Sequence, residues 1–271
     1  MGNTKSDQLK EYIGRFSSAV IAFSGGVDST FLAKVAGDVL NGNVLLVTAS
    51  SSTYPKRELD GAIAIARQLN LPHRIIDSEE LEIAGFADNP SDRCYYCKHE
   101  LFAKIKELAS SENYQAVFEG SNADDLNDFR PGRVAIKELG IGSPLLDVQL
   151  TKNEIRELSL VLGLPTAQKA SFACLASRFP YGEKITKEKL DRVGEAEEKI
   201  YDLGFCQFRV RSHGDLARVE FAVADLDSAW NQRAVIKTIC KNAGFTYVAI
   251  DLEGYRTGAM NEMLSDHEKQ L

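Results

Sequence analysis

The feature that most constrains the fold is a pair of glycines directly after a short apolar run. The segment Ala19–Ala33 reads AVIAFSGGVDSTFLA, so SGGVDS separates a buried-strand pattern from an apolar helical pattern. A strand-to-helix turn presents free backbone N–H groups and the positive end of the helix dipole, which together bind an anion. Glycine also lets the backbone approach phosphate oxygens without a Cβ clash. The pattern therefore predicts a phosphate cradle, whereas an isolated glycine pair is usually a tight turn with a helix cap.

The polar residues of this turn suit a nucleotide. Two serines supply hydroxyl donors, and a carboxylate among phosphates is suited to hold Mg²⁺, which we expect on Asp28. The Gly-Lys-Ser/Thr ending of a Walker A loop is missing, so the turn itself has no lysine for the outer phosphates. The predicted ATP-binding residues here are Ser24, Gly25, Gly26, Val27, Asp28 and Ser29.

Around the turn, short apolar strands alternate with helices, which indicates an α/β fold with a parallel sheet covered on both faces. Ligands of such sheets bind beyond the carboxyl ends of the strands. The predicted strands are Ala19–Phe23, Val44–Ala49, His73–Ile76 and Ala116–Gly120, and the predicted helices are Asp28–Leu40, Tyr54–Leu69, Leu101–Ser110 and Thr151–Leu162.

The pattern after residue 184 predicts a smaller C-terminal α+β domain. We place the boundary within Thr166–Lys184, which gives domains of residues 1–170 and 171–271. The predicted elements of the second domain are the helices Thr186–Leu203 and Leu226–Ala243 and the strands Gln207–Ser212, Ala217–Ala222 and Tyr247–Leu252.

A second polar turn, in FEGSNADDLNDFRPGR, follows the fourth predicted strand and faces the same crevice as the first. Its amide and carboxylates could order the loop, bind Mg²⁺ or contact ribose, and its arginines could hold a phosphate or carboxylate. Alone, such a loop is ordinarily a turn; beside a phosphate-binding turn both interpretations stay open. Of these residues we expect Gly120 and Asn122 to bind ATP, and the others concerned are Asp124, Asp125, Arg130 and Arg133.

Three of the five cysteines have a pattern that indicates chemistry. Cys94 and Cys97 form a Cys-x-x-Cys pair, which could ligate a metal or cluster or act as a redox pair. Cys174 has Arg178 nearby, and a neighbouring cation lowers the pKa of a thiol. Three thiolates suit a [4Fe–4S] cluster that leaves one iron open. The alternative is that the thiols are inert and buried.

Net charge and hydropathy exclude several classes of protein. A formal net charge of −7 argues against a broad nucleic-acid surface. No apolar run is long enough to span a bilayer, and MGNTKSDQLKEY lacks an apolar signal core. We therefore expect a cytoplasmic protein without membrane or nucleic-acid partners.

Several motifs together resemble the LarE family of ATP-dependent sulfur transferases, which belong to the PP-loop (adenine nucleotide alpha hydrolase-like) ATP pyrophosphatases. They are SGGVDS, GSNADDLNDFRPG, SPLLDVQLTKNEIRELSLVLGLPT, ACLASRFPYG and DLEGYRTGAMN, and they cover nearly the whole chain. The resemblance implies that ATP adenylates a carboxylate of pyridinium-3,5-biscarboxylic acid mononucleotide. A sulfur nucleophile then displaces AMP and leaves a thiocarboxylate of the nickel-pincer nucleotide, the lactate racemase cofactor.

The resemblance also implies roles for the cysteines. In one branch of the family the sulfur comes from a cysteine that matches Cys174 and is consumed. A second branch adds a Cys-x-x-Cys pair and holds a [4Fe–4S] cluster that carries an extra sulfide. Because this sequence has Cys94 and Cys97, it resembles the second branch, and we expect all three cysteines to be catalytic ligands of a cluster. An external sulfur donor and a homo-oligomer are further implications.

The predicted substrate-binding residues carry positive charge or face such residues. Alternation places Arg209 and Arg211 on one face of a strand, where two guanidiniums could bind a phosphate. The resemblance matches both, together with Glu220, to positions around a phosphate and a metal. The full predicted set is Arg130, Arg178, Arg209, Arg211 and Glu220, with Glu197 and Asp225 as weaker metal candidates and Arg256 without an assigned role.

Two other functions remain open from the sequence. A PP-loop tRNA thiolase would need an RNA-binding surface, and the net charge speaks against it. An amidotransferase-type synthetase would need ammonia, which a partner would have to supply because the sequence shows no glutaminase domain.

Overall fold

The computed structural model describes residues 4–127 and 131–265. The chain divides into two compact units that are discontinuous in sequence. The first unit consists of residues 1–78 and 94–169, and the second consists of residues 79–93 and 170–271. Segment 79–93, which lies early in the chain, thus folds with the C-terminal residues, and the sequence pattern did not indicate this.

The first unit contains a four-stranded, all-parallel sheet with the strand order β3-β2-β1-β4. This confirms the predicted α/β fold with a parallel sheet. Its strands are β1 Ala19–Ala22, β2 Val44–Ser50, β3 His73–Asp77 and β4 Ala116–Phe118. Its helices are α1 Lys5–Ile13, α2 Val27–Val39, α3 Lys56–Gln68, α4 Arg93–Ser111, α5 Gly132–Glu138, α6 Pro144–Asp147 and α7 Lys152–Val161.

Side-chain alternation along the strands buries both faces of this sheet. In β1, Ile21 joins a core formed with α1, α2, α3 and α7, whereas Val20 joins a second core against α4 and α5. Each fully buried aliphatic side chain contributes roughly 1.5–3 kcal/mol. Because β1 and β4 are paired in parallel, the turns that follow them meet at one edge of the sheet.

The second unit contains a three-stranded mixed sheet with the order β5-β6-β7. Strands β5 and β6 are antiparallel, and β6 and β7 are parallel. Its strands are β5 Phe208–His213, β6 Leu216–Phe221 and β7 Tyr247–Ile250, and its helices are α8 Lys187–Tyr201, α9 Leu226–Asn231 and α10 Arg233–Asn242. The predicted helix Leu226–Ala243 is thus two helices that meet at Gln232.

Helix α4 begins at Arg93, eight positions before the predicted helix start at Leu101. Cys94 and Cys97 therefore lie in its first turns, three positions apart and close to the same helix face. Across the part of the chain that the structure describes, no helix combines the length and the low polarity that crossing a membrane requires.

Candidate functional site

The glycine turn connects β1 to α2. Gly25 has a φ of +62°, and a Cβ there would lie 2.7 Å from the Cα of Ala62 in α3, so glycine is required both by conformation and by space. Gly26 is the N-cap of α2 in an extended conformation and has no side chain to cap the helix. The first-turn N–H groups of α2 therefore receive no cap from this position, as an anion site at a helix N-terminus requires.

The serine hydroxyls of this turn hold its two ends together. The Oγ atoms of Ser24 and Ser29 are 3.1 Å apart, and the backbone N–H of Gly26 donates to Ser24 Oγ at 3.4 Å. From the neighbouring segment, the hydroxyl of Tyr54 donates to the carbonyl of Ser24 at 2.8 Å. The turn is thus held in shape by its own residues and by Tyr54.

Asp28 lies in the first turn of α2 and faces a lysine from α7. Its Oδ2 pairs with Lys152 Nζ at 2.5 Å, while its Oδ1 is buried and has no hydrogen-bond partner among the described residues. Burial raises the pKa of Asp28, and the positive charge of Lys152 opposes this shift. An unsatisfied carboxylate oxygen beside a phosphate-binding turn fits a Mg²⁺ ligand.

The second polar turn packs directly against the first. A Cβ on Gly120 would lie 3.2 Å from the backbone N of Ser29, so glycine permits this close approach. The preceding Glu119 is buried and accepts hydrogen bonds from the Ser121 hydroxyl at 2.8 Å and the Ser143 hydroxyl at 2.5 Å. These contacts fix the path of the chain at Gly120, beside the glycine turn.

The acidic residues of the second turn order the loop. The backbone N–H of Asn122 donates to Asp125 Oδ2 at 3.0 Å, and Asn122 Oδ1 accepts from the N–H of Asp124 at 3.0 Å. Asp124 in turn accepts from the N–H of Lys152 at 2.9 Å. Loop ordering is one of the roles that the sequence left open for these residues.

The two arginines of the second turn were candidates for an anion. Arg130 lies outside the described residues, and Arg133 donates to the Asp125 carbonyl at 3.4 Å.

Two lysines beside the glycine turn were missed by sequence reasoning. Lys152 pairs with Asp28 across 124 positions, and Lys169 donates to the Gly25 carbonyl at 3.1 Å across 144 positions. Lys169 also pairs with Glu58 of α3 at 2.8 Å. Nothing local in the sequence marks either residue, because only the folded unit brings them to the turn. The turn that lacks a Walker lysine thus has two cations from distant segments.

The three candidate cysteines belong to different units. Cys94 and Cys97 are half-buried in α4 of the first unit, and Cys174 is half-buried in the second. Cys174 is the N-cap of a short 3₁₀ turn, and its carbonyl accepts from the Ser177 hydroxyl at 2.8 Å and from Arg178 at 3.3 Å. Over residues 4–127 and 131–265, no three His, Cys, Asp or Glu side chains group together as a metal site.

Arg178 forms a buried bidentate pair with Glu197 of α8. The distances are 2.7 Å from Nε to Oε1 and 2.9 Å from Nη2 to Oε2, and the backbone N–H of Val210 donates to the same Oε1 at 2.9 Å. Despite burial, the charge and hydrogen bonds of Arg178 hold the pKa of Glu197 below its ordinary value. Both Glu197 oxygens are engaged, so a metal or substrate role for either residue would require this pair to open.

Arg209, Arg211 and Glu220 share one face of the β5–β6 pair, as strand alternation predicted. Arg211 pairs with Glu220 Oε2 at 2.7 Å, and Arg218 pairs with Glu220 Oε1 at 3.0 Å. Within the described part of the chain, no carboxylate pairs with Arg209. Its guanidinium donates to the Phe208 and Ser171 carbonyls. It also lies 4.8 Å from the centre of the Tyr255 ring.

Burial of Arg209, together with the nearby charge of Arg178, lowers its pKa to about 10. A buried cation without an acidic partner is suited to bind an anion.

The two remaining residues that the sequence singled out, Asp225 and Arg256, lie elsewhere. Asp225 is the residue before α9 and makes no side-chain cap, and Arg256 is exposed and pairs with Glu253 at 2.6 Å and with Glu262.

Comparison with known proteins places this arrangement among nucleotide-using enzymes. A model of the NAD synthase family matches residues 3–170. The chain is 43% identical to an uncharacterized protein of Synechocystis sp., over 98% of this chain and 100% of that protein. It is 34% identical to the pyridinium-3,5-bisthiocarboxylic acid mononucleotide synthase of Lactiplantibacillus plantarum, over 97% and 95% of the two chains. An uncharacterized protein of Methanocaldococcus jannaschii is 32% identical over 88% and 90%.

Proposed function

Because the chain belongs to the family of the pyridinium-3,5-bisthiocarboxylic acid mononucleotide synthase, and its first 170 residues match the NAD synthase family, we propose that it is an ATP-dependent sulfur transferase. Its proposed substrate is pyridinium-3,5-biscarboxylic acid mononucleotide, whose carboxylates become thiocarboxylates for the nickel-pincer nucleotide. The observation that carries this proposal is the glycine turn, where Gly25, Gly26 and the unsatisfied Asp28 oxygen would form the ATP site.

The first step is adenylation. A substrate carboxylate oxygen attacks the α-phosphorus of ATP, the bond to the β-phosphate breaks, and pyrophosphate leaves. The first-turn N–H groups of α2 and the hydroxyls of Ser24 and Ser29 would hold the phosphates. Asp28 Oδ1 would hold Mg²⁺, and the charge of the metal would offset that of the phosphates. Lys152 and Lys169 are suited to stabilise the charge of the departing pyrophosphate.

The second step is sulfur transfer. A sulfur nucleophile attacks the acyl carbon of the adenylate, and the C–O bond to AMP breaks. We propose that Cys94, Cys97 and Cys174 hold a [4Fe–4S] cluster, because three thiolates are the donor set that leaves one iron open. Such a cluster would supply sulfide as the sulfur nucleophile, and an external donor would supply its replacement. Two rounds convert both carboxylates.

A second route uses Cys174 alone. Its thiolate would form a thioester with the substrate, a base would remove the proton from its Cα, and the Cβ–S bond would break. The thiocarboxylate then leaves, and Cys174 becomes dehydroalanine. The observation that favours this route lies within the second unit, where the Arg178 guanidinium donates to the Cys174 carbonyl at 3.3 Å and so lies beside this cysteine.

In the second unit, Arg209 is the proposed ligand of the substrate phosphate, because it is buried and no carboxylate pairs with it among the described residues. Arg178, Arg211 and Glu220 would act through their own ion pairs, which fix the guanidiniums around it. A homo-oligomer and an external sulfur donor remain part of the proposal.

The test starts with protein purified without oxygen. Iron and acid-labile sulfide are measured together with AMP and thiocarboxylate formed from ATP and the pyridinium substrate. About four irons per chain, lost in Cys94→Ala and in Cys174→Ala but retained in Cys206→Ala, would support the cluster. Cys206 is a matched control because it is exposed. An iron-free active protein whose Cys174 loses its sulfur would support the consumed cysteine. No AMP formation would refute the proposed function.

A further inference from the structure

The second unit contains one more buried arginine, Arg93, which sequence reasoning did not single out. Arg93 is 2% exposed, and Arg209 is 6% exposed. Elsewhere in this unit, Arg178 and Arg211 are neutralised by glutamates. For Arg93, as for Arg209, the described residues include no carboxylate partner. A buried cation without an anion is energetically costly, so its presence requires an explanation.

Among the described residues, the Arg93 side chain contacts neutral groups. Its Nη1 donates to Asn89 Oδ1 at 2.7 Å, and its guanidinium carbon lies 5.0 Å from the centre of the Tyr181 ring. Nη2 donates to Met260 Sδ at 3.7 Å. Nε is buried and has no hydrogen-bond partner among the described residues. A guanidinium with one donor unused and another on a thioether sulfur retains the capacity to bind an anion.

The same C-terminal segment covers both of these arginines. Residues 254–263, here named the C-terminal strap, place Tyr255 over Arg209 and Met260 on Arg93. Asn261 of the strap also accepts a hydrogen bond from the Tyr181 hydroxyl at 3.0 Å. None of the residues Ala259–Met263 is buried. The start of the strap is anchored, because Gly254 is buried and the N–H of Tyr255 donates to the Phe221 carbonyl at 2.7 Å. Residues 259–263 bury little surface and open at low free-energy cost, so a ligand could reach the Arg93 guanidinium when they move.

We propose that Arg93 binds a carboxylate of the substrate and that the C-terminal strap moves to admit it. Arg209 and Arg93 then bind different anionic groups, the phosphate and a carboxylate. Arg93 directly precedes Cys94 in the sequence. The identity of this carboxylate rests on the proposed function.

The experiment measures the binding of pyridine-3,5-dicarboxylate to the full chain by calorimetry at fixed ionic strength. Pyridine-3,5-dicarboxamide is the neutral control for the probe. We expect the dicarboxylate to bind and the dicarboxamide not to bind. Arg93→Met should weaken dicarboxylate binding about 10-fold or more, because a charge-assisted pair is lost, and Arg93→Lys should weaken it less. Arg233→Met is the matched control, since Arg233 is exposed and also lies over an aromatic ring.

Thermal unfolding separates binding from a structural role. Arg178→Met leaves Glu197 buried without its partner, so it should lower Tm strongly, whereas Arg93→Met leaves no buried charge and should lower Tm much less. An equally large fall in Tm for both would overturn the proposal. So would unchanged dicarboxylate binding in Arg93→Met, or no binding by the unmodified chain. Hydrogen exchange in residues 254–263 should slow with the dicarboxylate; unchanged exchange would overturn the role of the strap.

These results are independent of the sulfur chemistry. If the pyridinium mononucleotide gives no AMP with ATP, the proposed function fails, but the effect of Arg93 on dicarboxylate binding is still measured. If AMP forms normally in Arg93→Met with an unchanged KM for the pyridinium substrate, the proposed function stands and the role of Arg93 is refuted.

Discussion

The two adjacent glycines of the nucleotide turn should respond very differently to substitution by alanine. At Gly25 a side chain meets both a φ of +62° and the backbone of α3, whose Ala62 Cα would lie 2.7 Å from the new Cβ. At Gly26 the backbone is extended, and the nearest neighbour, Ser24 Oγ, would be 3.3 Å away. A hydroxyl can rotate away, whereas a helix backbone cannot move without disturbing its packing.

The magnitude for Gly25→Ala is the sum of two costs. The left-handed conformation costs a residue with a Cβ about 1–2 kcal/mol, and overpacking against a fixed neighbour costs about 1–3 kcal/mol. We therefore expect Gly25→Ala to lower the free energy of unfolding by about 2–5 kcal/mol. Gly26→Ala should change it by less than about 1 kcal/mol, within the range of an ordinary surface substitution.

Urea unfolding followed by circular dichroism measures the stability of both variants, and calorimetry measures their ATP affinity. Gly26→Ala should fold normally but bind ATP more weakly, because it would add a Cβ at the N-cap of α2, where phosphate oxygens would approach. Gly25→Ala should lose both stability and ATP binding. Equal stability of Gly25→Ala and the unmodified chain would refute the argument from strain, and unchanged ATP binding by Gly26→Ala would refute the cradle.

Three further predictions concern charged groups. Glu197→Ala should lower the free energy of unfolding, measured with denaturant, by about 3–5 kcal/mol because it leaves Arg178 buried and unpaired. Glu195→Ala, at an exposed position of the same helix, should lower it by less than about 0.5 kcal/mol. Similar losses in the two variants would contradict a stabilising buried pair. Burial raises the pKa of Asp28 above its ordinary value of 3.8, so the protonated side chain favours folding more than the ionised one does. Asp28→Asn should therefore gain stability relative to the unmodified chain as pH rises from 3 to 8, measured by urea unfolding without ATP. A difference in stability that does not change with pH would argue against the raised pKa. Lys5 and Thr151 hold the pKa of Glu154 at about 2. Glu154→Gln should therefore lower the free energy of unfolding above pH 4.5, by less than about 1 kcal/mol for this partly exposed pair, and this loss should disappear as pH falls towards 2. A loss of stability that persists below pH 2 would refute the lowered pKa of Glu154.

The parallel sheet and the glycine turn could be predicted because their signals are local. Strands β1 and β2 are continuous apolar runs that end at turn residues, and the capping box that begins α7 at Thr151 is read from four consecutive residues. The position of Gly120 beside Ser29 follows from parallel pairing of β1 with β4. The strands and the capping box are thus determined within short windows of sequence, and the meeting of the two turns follows from the rule that parallel strands end at the same edge.

The charged contacts could not be predicted because their causes are not local. Lys152 and Lys169 reach the glycine turn from 124 and 144 positions away, and no spacing rule connects such residues. Arg178 was predicted as a substrate ligand, yet the structure shows that it is fully paired with Glu197. The early start of α4 was missed because the segment before Leu101 is rich in aromatic and cysteine residues, which are weaker helix formers.

The interleaved order of the two units has a consequence for how the chain is made. The polypeptide passes between the units three times, after residues 78, 93 and 169. Asn89 donates to the carbonyl of Phe179, 90 positions later. At a synthesis rate of about 5–20 residues per second, segment 79–93 leaves the ribosome roughly 5–20 s before those partners exist. A chain that ended near residue 170 would contain every residue of the nucleotide-binding unit but would carry segment 79–93, between β3 and α4, without the contacts that order it.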